Sequence, residues 1–211
     1  MNKHFIVIVI LISICSCICK HNSDAQKAKM TGQNTEIESQ TKGDTVRINL
    51  VKSNIYWKGT KMLGAGKHEG EIEIESGYLV TKNNLLINGS CLADMTTIGV
   101  TDIPEHESVP KNNLNNHLKS SDFFDVEKFP TSEFKITNVR QITSDSLLIS
   151  GNLTLKDITK NLEFGAKYQD KLFSTKFTFD RLQWNVAYEG NFADKTLVDK
   201  DVELTIRLET E

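Results

Sequence analysis

The chain is 211 residues long, with 38% hydrophobic residues, 25% charged residues and a formal net charge of −3. This length favours a single domain, and the composition is typical of a soluble globular protein. The charge is small, and no cluster of Lys and Arg is interleaved with aromatic residues. The sequence therefore gives no support for a nucleic-acid partner.

The cysteines are unevenly placed, because positions 15, 17 and 19 lie near the N-terminus and only Cys91 lies in the rest of the chain. A single cysteine cannot form an internal disulfide, so the fold must depend on its hydrophobic core. No motif brings a histidine or an acid to Cys91. We therefore interpret it as a small strand residue and not as a nucleophile.

Residues 1–19 have the pattern of a secretory signal, with a basic start and an apolar run at 5–12 that is too short to span a bilayer. An apolar residue, Ile14, stands three positions before Cys17, and the small residue Ser16 stands directly before it. This spacing is that of a lipoprotein cleavage site. Cys17 is therefore the predicted lipid anchor, which would hold the protein on a membrane without spanning it. The alternative is an ordinary signal peptide with incidental cysteines.

Residues 20–43 contain few large apolar side chains. Such a segment buries too little surface to offset the entropy lost on ordering. We expect a flexible tether between the anchor and a domain over 44–211.

From residue 44 onward, apolar and polar residues alternate with a period of two, which is typical of strands buried on one face. The clearest case is 69–75, where glutamates occupy one face and Gly or Ile the other. Similar alternation recurs around 46–50, 55–59, 85–93, 134–136, 147–155, 162–168, 173–179 and 202–208. This many strands with turn signals between them predict an all-β fold, either a closed antiparallel barrel or a sandwich.

The helix-like stretch is 101–122, where Pro104 and Pro110 predict short helices. An aromatic cluster follows, with Phe123, Phe124 and Phe129 within seven residues. We expect these three rings to be largely buried between the helix and the sheet.

Three motifs stand out along the chain: residues 117–131 read HLKSSDFFDVEKFPT, residues 151–160 read GNLTLKDITK, and residues 180–186 read DRLQWNV. Together they resemble the YceI-like family of polyisoprenoid-binding proteins. The resemblance implies an extended lipocalin-like β-barrel with a helix beside it, and a long isoprenoid or similar lipid in the lumen. Two positions depart from the family: Asp157 replaces the usual Gly of a turn, and the run 184–188 stands where many members carry a Gly. We expect the turn to form, because Asp tolerates turn conformations, and the second departure to reshape one end of the cavity.

A small barrel with an apolar interior is either filled by its own side chains or holds one apolar ligand, and the alternation leaves both readings open. The predicted lumen residues are Trp57, Ile72, Ile74, Leu153, Leu155, Phe164, Phe177 and Leu204. Glycines at 59, 64, 66 and 70 either leave room for a ligand or mark bulges at the corners of a barrel. His68 and His117 match histidines common in the family. The resemblance suggests that His68 lies near the mouth with a ligand head group and that His117 orients the junction after the helix.

No motif for catalysis or for a cofactor is present, because the chain lacks Gly-x-Ser-x-Gly, a phosphate-binding glycine loop and His-Glu-x-x-His. Glu105, His106 and Glu107 lack a further ligand at a recognisable spacing, so we interpret them as a solvated loop and predict no metal site. The leading hypothesis is a non-enzymatic lipid-binding barrel at the bacterial cell envelope. A structural or stress-related envelope protein with a filled barrel is the alternative, followed by a hydrolase or metal enzyme.

We expect Cys17→Ser to move the protein to the soluble fraction or to block its processing, because the acylated side chain would be lost. Membrane fractionation and the mass of the mature N-terminus check this, with Cys19→Ser as the matched control. A Cys17→Ser variant that stays in the membrane fraction and begins beyond residue 20 would contradict the assignment.

Overall fold

The structure, a computed structural model, describes residues 25–34, 42–62, 64–187 and 198–211. The signal segment and Cys17 lie outside the described residues. The strands are β1 (Gln26–Lys27), β2 (Lys29–Gly32), β3 (Asp44–Arg47), β4 (Asn54–Lys61), β5 (Gly66–Lys82), β6 (Leu85–Val100), β7 (Thr131–Gln141), β8 (Ser146–Leu155), β9 (Ile158–Gln169), β10 (Leu172–Asp180) and β11 (Val198–Glu209). The helix α1 spans Ser108–Lys119, and a 3-10 helix spans Arg181–Trp184.

The strands β4 to β11 form a closed antiparallel barrel. Each pairs with the next in the chain, β11 returns to pair with β4, and β10 also pairs with β9. The closed barrel predicted from the strand pattern and the resemblance is therefore confirmed, and the sandwich is not what forms. Closure leaves few exposed strand edges, because nearly every strand has a hydrogen-bonded neighbour on both sides.

The alternation in the sequence corresponds to the two faces of the wall. Along β8 every second residue is buried, from Leu147 to Leu155. Along β5, Glu71, Glu73 and Glu75 are exposed. A shift of one residue would bring these carboxylates inside without partners, so the polar pattern fixes the register.

Two-residue turns with positive φ join several of the strands. Asn83 and Asn84 have φ of 52° and 63°, and Lys156 and Asp157 have φ of 46° and 61°. Two consecutive positive φ values are those of a type I′ turn, whose twist matches the flanking strands. The turn at Asp157 therefore forms as expected, with Asp in a conformation that Gly adopts more easily.

The segment 25–34 departs from the predicted tether. Its strand β1 pairs in parallel with β10, and β2 pairs antiparallel with β9. Ala28 is 4% exposed, while most of its neighbours are exposed. Hydrophobicity did not predict this order because the segment is held mainly by backbone hydrogen bonds, which any residue except proline makes.

The helix α1 begins two residues before Pro110. The first turn tolerates this proline, which lacks an N–H, because an N–H at that position would have no intrahelical partner. Leu118 is its buried residue. The helix ends at Ser120, whose N–H donates to the carbonyls of Asn116 and His117 at 3.0 and 3.2 Å. Within the described ranges no helix is long and apolar enough to cross a membrane.

The aromatic cluster after α1 is buried less evenly than predicted. Phe123 is 8% exposed and lies edge-on to Phe124, with ring centroids 5.1 Å apart. Phe124 and Phe129 are only half-buried. Phe129 lies under the ammonium group of Lys128, 4.9 Å from its ring centroid, which fits a ring at the protein surface.

We expect Phe123→Ala to lower the free energy of unfolding by about 3–5 kcal/mol, because it deletes a buried ring. Phe129→Ala is the matched control and should cost clearly less, since part of its ring already contacts water. Urea denaturation of both variants measures the difference. Equal losses would show that the two rings contribute alike.

Candidate ligand-binding lumen

The interior of the barrel contains a cavity of about 250 Å³. All the predicted lumen residues except Ile74 line it: Trp57, Ile72, Leu153, Leu155, Phe164, Phe177 and Leu204. An engineered apolar cavity of about 150 Å³ already binds benzene. The space is therefore large enough for part of an apolar ligand, and the barrel is not filled by its own side chains.

Ile74 is buried, with 7% of its surface exposed, but does not belong to the cavity lining. The pairing of β5 with β6 shifts register on both sides of it, between Glu71 and Glu73 and between Ile74 and Ser76. Such bulges change the direction of the side chains that follow. Ile74 itself remains on the buried face that the alternation predicts, between the exposed Glu73 and Glu75, although it does not line the cavity.

Aromatic rings form a continuous part of the wall. Phe164 and Phe177 are stacked, with centroids 4.1 Å apart and planes 11° apart. Phe134 adjoins Phe164 at 5.6 Å, and Phe179 adjoins Phe177 at 6.5 Å. Phe134 and Phe179 also line the cavity. Both lie on the apolar faces visible in the sequence, although we did not include them in the predicted lumen.

Polar side chains of the lining concentrate at the end of the barrel near α1. They include Lys61, Lys67 and His68 from the end of β4 and the start of β5. His68 Nδ1 lies 3.0 Å from Asp102 Oδ2, which holds the ring in place. The structure thus puts His68 at a polar mouth, but its contact with a head group stays a prediction.

The start of β11 adjoins this group, since Val198 pairs with Lys61. The hydroxyl of Thr60 and the N–H of Gly64 donate to Asp199 Oδ2 at 2.5 and 3.1 Å. Gly64 has φ of 90°, which glycine adopts freely. These hydrogen bonds hold the turn after β4 against β11 and so stabilise the polar end of the barrel.

Arg181, from the third motif, is 4% exposed and also lines the cavity. Its Nε and Nη2 donate to the carbonyls of Asp199 and Val198 at 3.2 and 3.1 Å, and its Nη1 donates to the carbonyl of Val186. Burial lowers the pKa of Arg181, while the charges of Asp180 and Asp199 raise it. Sequence reasoning gave this arginine no role, and its carbonyl partners lie too far along the chain for spacing to show them.

Trp184 and Val186 pack at the same end and are both 0% exposed. The indole N–H of Trp184 donates to the carbonyl of Leu153 at 3.1 Å, and its ring lies edge-on to Phe179 at 5.3 Å. Val186 lines the cavity. The run that departs from the family pattern therefore does shape this end of the lumen.

His117 lies in the last turn of α1 and lines the cavity. Its carbonyl accepts from the hydroxyl of Ser120 at 2.9 Å, and its ring lies 5.7 Å from that of Phe123. These contacts put His117 at the junction that follows the helix, as the resemblance suggests.

The glycines serve different purposes. A Cβ at Gly59 would have nothing within 4 Å, so this position leaves open space beside the cavity. A Cβ at Gly70 would lie 1.8 Å from the carbonyl oxygen of Gly99 and 2.8 Å from the ring of Trp57. Gly70 thus permits close approach of a strand and a ring, while Gly59 leaves room.

The side chains of the acidic loop 105–107 face solvent. His106 Nε2 lies 3.9 Å from Glu107 Oε1, and both side chains are exposed. In the described part of the chain, no group of three or more His, Cys, Asp or Glu side chains is placed to hold a metal ion.

Cys91 lines the cavity with a free thiol, and burial raises its pKa to about 12. The thiolate is the reactive form, so the folded protein should react slowly with a water-soluble disulfide reagent at pH 8. Unfolding in denaturant should restore the rate of an ordinary thiol. Cys91→Ser identifies the signal from this residue, and rapid labelling of Cys91 in the folded protein would contradict its burial.

Comparisons with known proteins agree with this architecture. Two curated relatives match over short stretches: a UPF0312 protein of Azotobacter vinelandii is 38% identical over 52 residues, and protein YceI of Salmonella arizonae is 45% identical over 51 residues. Those stretches cover 25% and 24% of this chain and 27% and 26% of the relatives, so the match spans about a quarter of either length.

Two solved structures share the fold over most of the chain. BcnA of Burkholderia cenocepacia superposes with a TM-score of 0.62 at 16% identity, covering 76% of this chain and 98% of BcnA. A polyisoprenoid-binding domain of Saccharophagus degradans gives 0.58 at 11% identity, covering 81% and 99%. The model of the YceI-like domain matches residues 46–210, and the chain therefore belongs to the YceI-like family.

Proposed function

We propose that the barrel binds one long apolar lipid, an isoprenoid or a chain of similar shape, and that it does so without catalysis. The observation that carries this proposal is the unfilled apolar cavity of about 250 Å³ with its polar groups gathered at one end. A lipid with a polar head and an apolar tail matches that distribution. The family and the Saccharophagus degradans domain named for polyisoprenoid binding support the same ligand class.

The energetics favour a ligand recognised mainly by its tail. Transfer of about ten CH₂ groups from water to an apolar interior yields roughly 8 kcal/mol at about 0.8 kcal/mol each. The loss of translational and rotational freedom on association costs at least about 4 kcal/mol. The apolar wall alone therefore supplies useful affinity, and the polar mouth orients the head without needing a dense set of hydrogen bonds.

We place this activity at the bacterial cell envelope, with the protein held on a membrane by Cys17. The support is the signal pattern of 1–19. A protein anchored at the envelope would share that compartment with the lipid that it binds. A barrel that acts through protein contacts is the competing function, and it needs no ligand in the lumen.

Extraction of the purified protein with organic solvent, followed by mass spectrometry, separates these two functions. A stoichiometric long-chain lipid supports binding. An extract without lipid, together with unchanged tryptophan emission when isoprenoid alcohols and fatty acids are added, overturns it. Trp57 lines the cavity and Trp184 does not, so an emission change reports mainly on Trp57.

We expect Gly59→Val to lower the lipid occupancy of the protein while leaving its melting temperature equal or higher. The added side chain enters open space beside the cavity, and a β-branched residue stabilises a strand relative to glycine. Lys58→Val is the matched control, because it places the same valine side chain on the neighbouring residue of β4, which faces outward. Equal occupancy in both variants would show that the space beside Gly59 is not used by a ligand.

A further inference from the structure

The barrel has a seam between β9 and β10 where its own strands do not meet. These strands pair directly only between 166–169 and 172–175, next to the turn that joins them. The hydroxyl of Thr175 donates to the carbonyl of Gly165 at 2.7 Å at the end of this contact. Beyond it, 158–165 and 176–180 face a different partner.

That partner is the N-terminal segment 25–34, which we call the strap. Lys27 is opposite Thr178 on β10, and Met30 is opposite Leu162 on β9. The N–H of Ala28 donates to the carbonyl of Thr178 at 2.8 Å. The strap runs parallel to β10, so the seam that it fills extends toward the end of the barrel that carries the polar mouth.

The cavity lies directly behind the seam. Phe164 of β9 and Phe177 of β10 stack across it, and both rings line the cavity. The strap on the outside and the stacked rings on the lumen side therefore together close the gap between β9 and β10.

Few side chains of the strap pack against the rest of the barrel. Ala28 is buried and Met30 packs partly against the core, whereas the other residues of β1 and β2 are exposed. Lys27 forms an ion pair with Asp201 at 2.7 Å, but the two side chains are 50% and 40% exposed. Exposed pairs of this kind contribute little to stability.

The C-terminal end of the strap is tied to β8. The N–H and carbonyl of Asn34 bond to the side chain of Asn152 at 3.1 and 2.8 Å. By contrast, β8 and β9 are paired along the whole length of β8. Segments with few buried contacts open before the rest of a structure does.

We propose that lipid enters and leaves the lumen sideways, through the β9–β10 seam, and that residues 25–34 are the strap that opens for it. This rests on the proposed lipid-binding function. A chain that enters through the seam parts the stacked rings of Phe164 and Phe177, which are apolar, and keeps its head at the polar end throughout. Entry along the barrel axis would instead draw the whole tail past the charged side chains of Lys61 and Lys67.

A reversible lock on the strap tests this. Lys29 and Glu163 face each other in the antiparallel pairing of β2 and β9. Facing residues in such a pair have Cα atoms about 4.5–5.5 Å apart, within the range that a disulfide bridges. The variant Lys29→Cys/Glu163→Cys is made in the full chain, and the bond is verified by mass. Both single variants serve as controls for stray thiol chemistry.

Uptake and release of cis-parinaric acid are followed by energy transfer from the tryptophans to the bound acid. In the oxidised double variant we expect both rates to fall by on the order of tenfold or more, because exchange must wait for the barrel itself to open. Reduction should restore them, and the final occupancy should not change. Ala28→Asp, which destabilises the strap, should speed both rates.

The outcomes separate the two proposals. Equal rates in the oxidised and reduced double variant, with Ala28→Asp no faster than the wild type, overturn the strap and leave lipid binding intact. Absence of uptake in the wild-type protein as well overturns the binding function itself, and the strap with it.

Discussion

The structure depends on backbone hydrogen bonds that run round the barrel wall. A continuous ladder lets the wall stand without side chains meeting at its centre, which is what allows an interior to remain partly empty. In this protein the ladder is weak between β9 and β10, because these strands pair directly over only part of their length. The chain supplies the missing neighbours from its own N-terminal segment. In our proposal the strap therefore has two roles: it completes the wall of the barrel, and it controls entry to the lumen.

The polar end of the barrel shows how a buried charge is accommodated beside an apolar cavity. Arg181 donates to three backbone carbonyls, at Val186, Val198 and Asp199, and its guanidinium lies 5.3 Å from the ring of Phe123. These acceptors are neutral, and the nearby carboxylates of Asp180 and Asp199 favour the charged guanidinium. An unpaired donor in this environment would cost more than a lost surface contact. The same bonds fix the start of β11, so the mouth is rigid where a lipid head would sit.

Much of the fold and of the lumen could be predicted because both depend on local periodicity. Alternation identified inward residues such as Leu153 and Phe164, and the family motifs distinguished a barrel from a sandwich. What could not be predicted depends on contacts across the chain. Ile74 is buried as the alternation predicts, but periodicity does not show which buried residues line the cavity. The partners of Arg181 lie on β11 and after the 3-10 helix. The strap is ordered by main-chain hydrogen bonds, which do not depend on its composition.

Two aromatic residues and two glycines explain why an interior so rich in large rings is not full. A Cβ at Gly151 would lie 2.2 Å from the ring of Phe134, and one at Gly70 would lie 2.8 Å from the ring of Trp57. Each ring therefore lies flat against bare backbone on a neighbouring strand, where a side chain would otherwise push it toward the axis. The glycines enlarge the cavity indirectly, because bulky side chains can lie against them and stay away from the barrel axis. A wall of this kind is smooth and apolar along its length. It suits a flexible hydrocarbon chain, which gains from contact area and has no polar groups to match, better than a compact polar ligand.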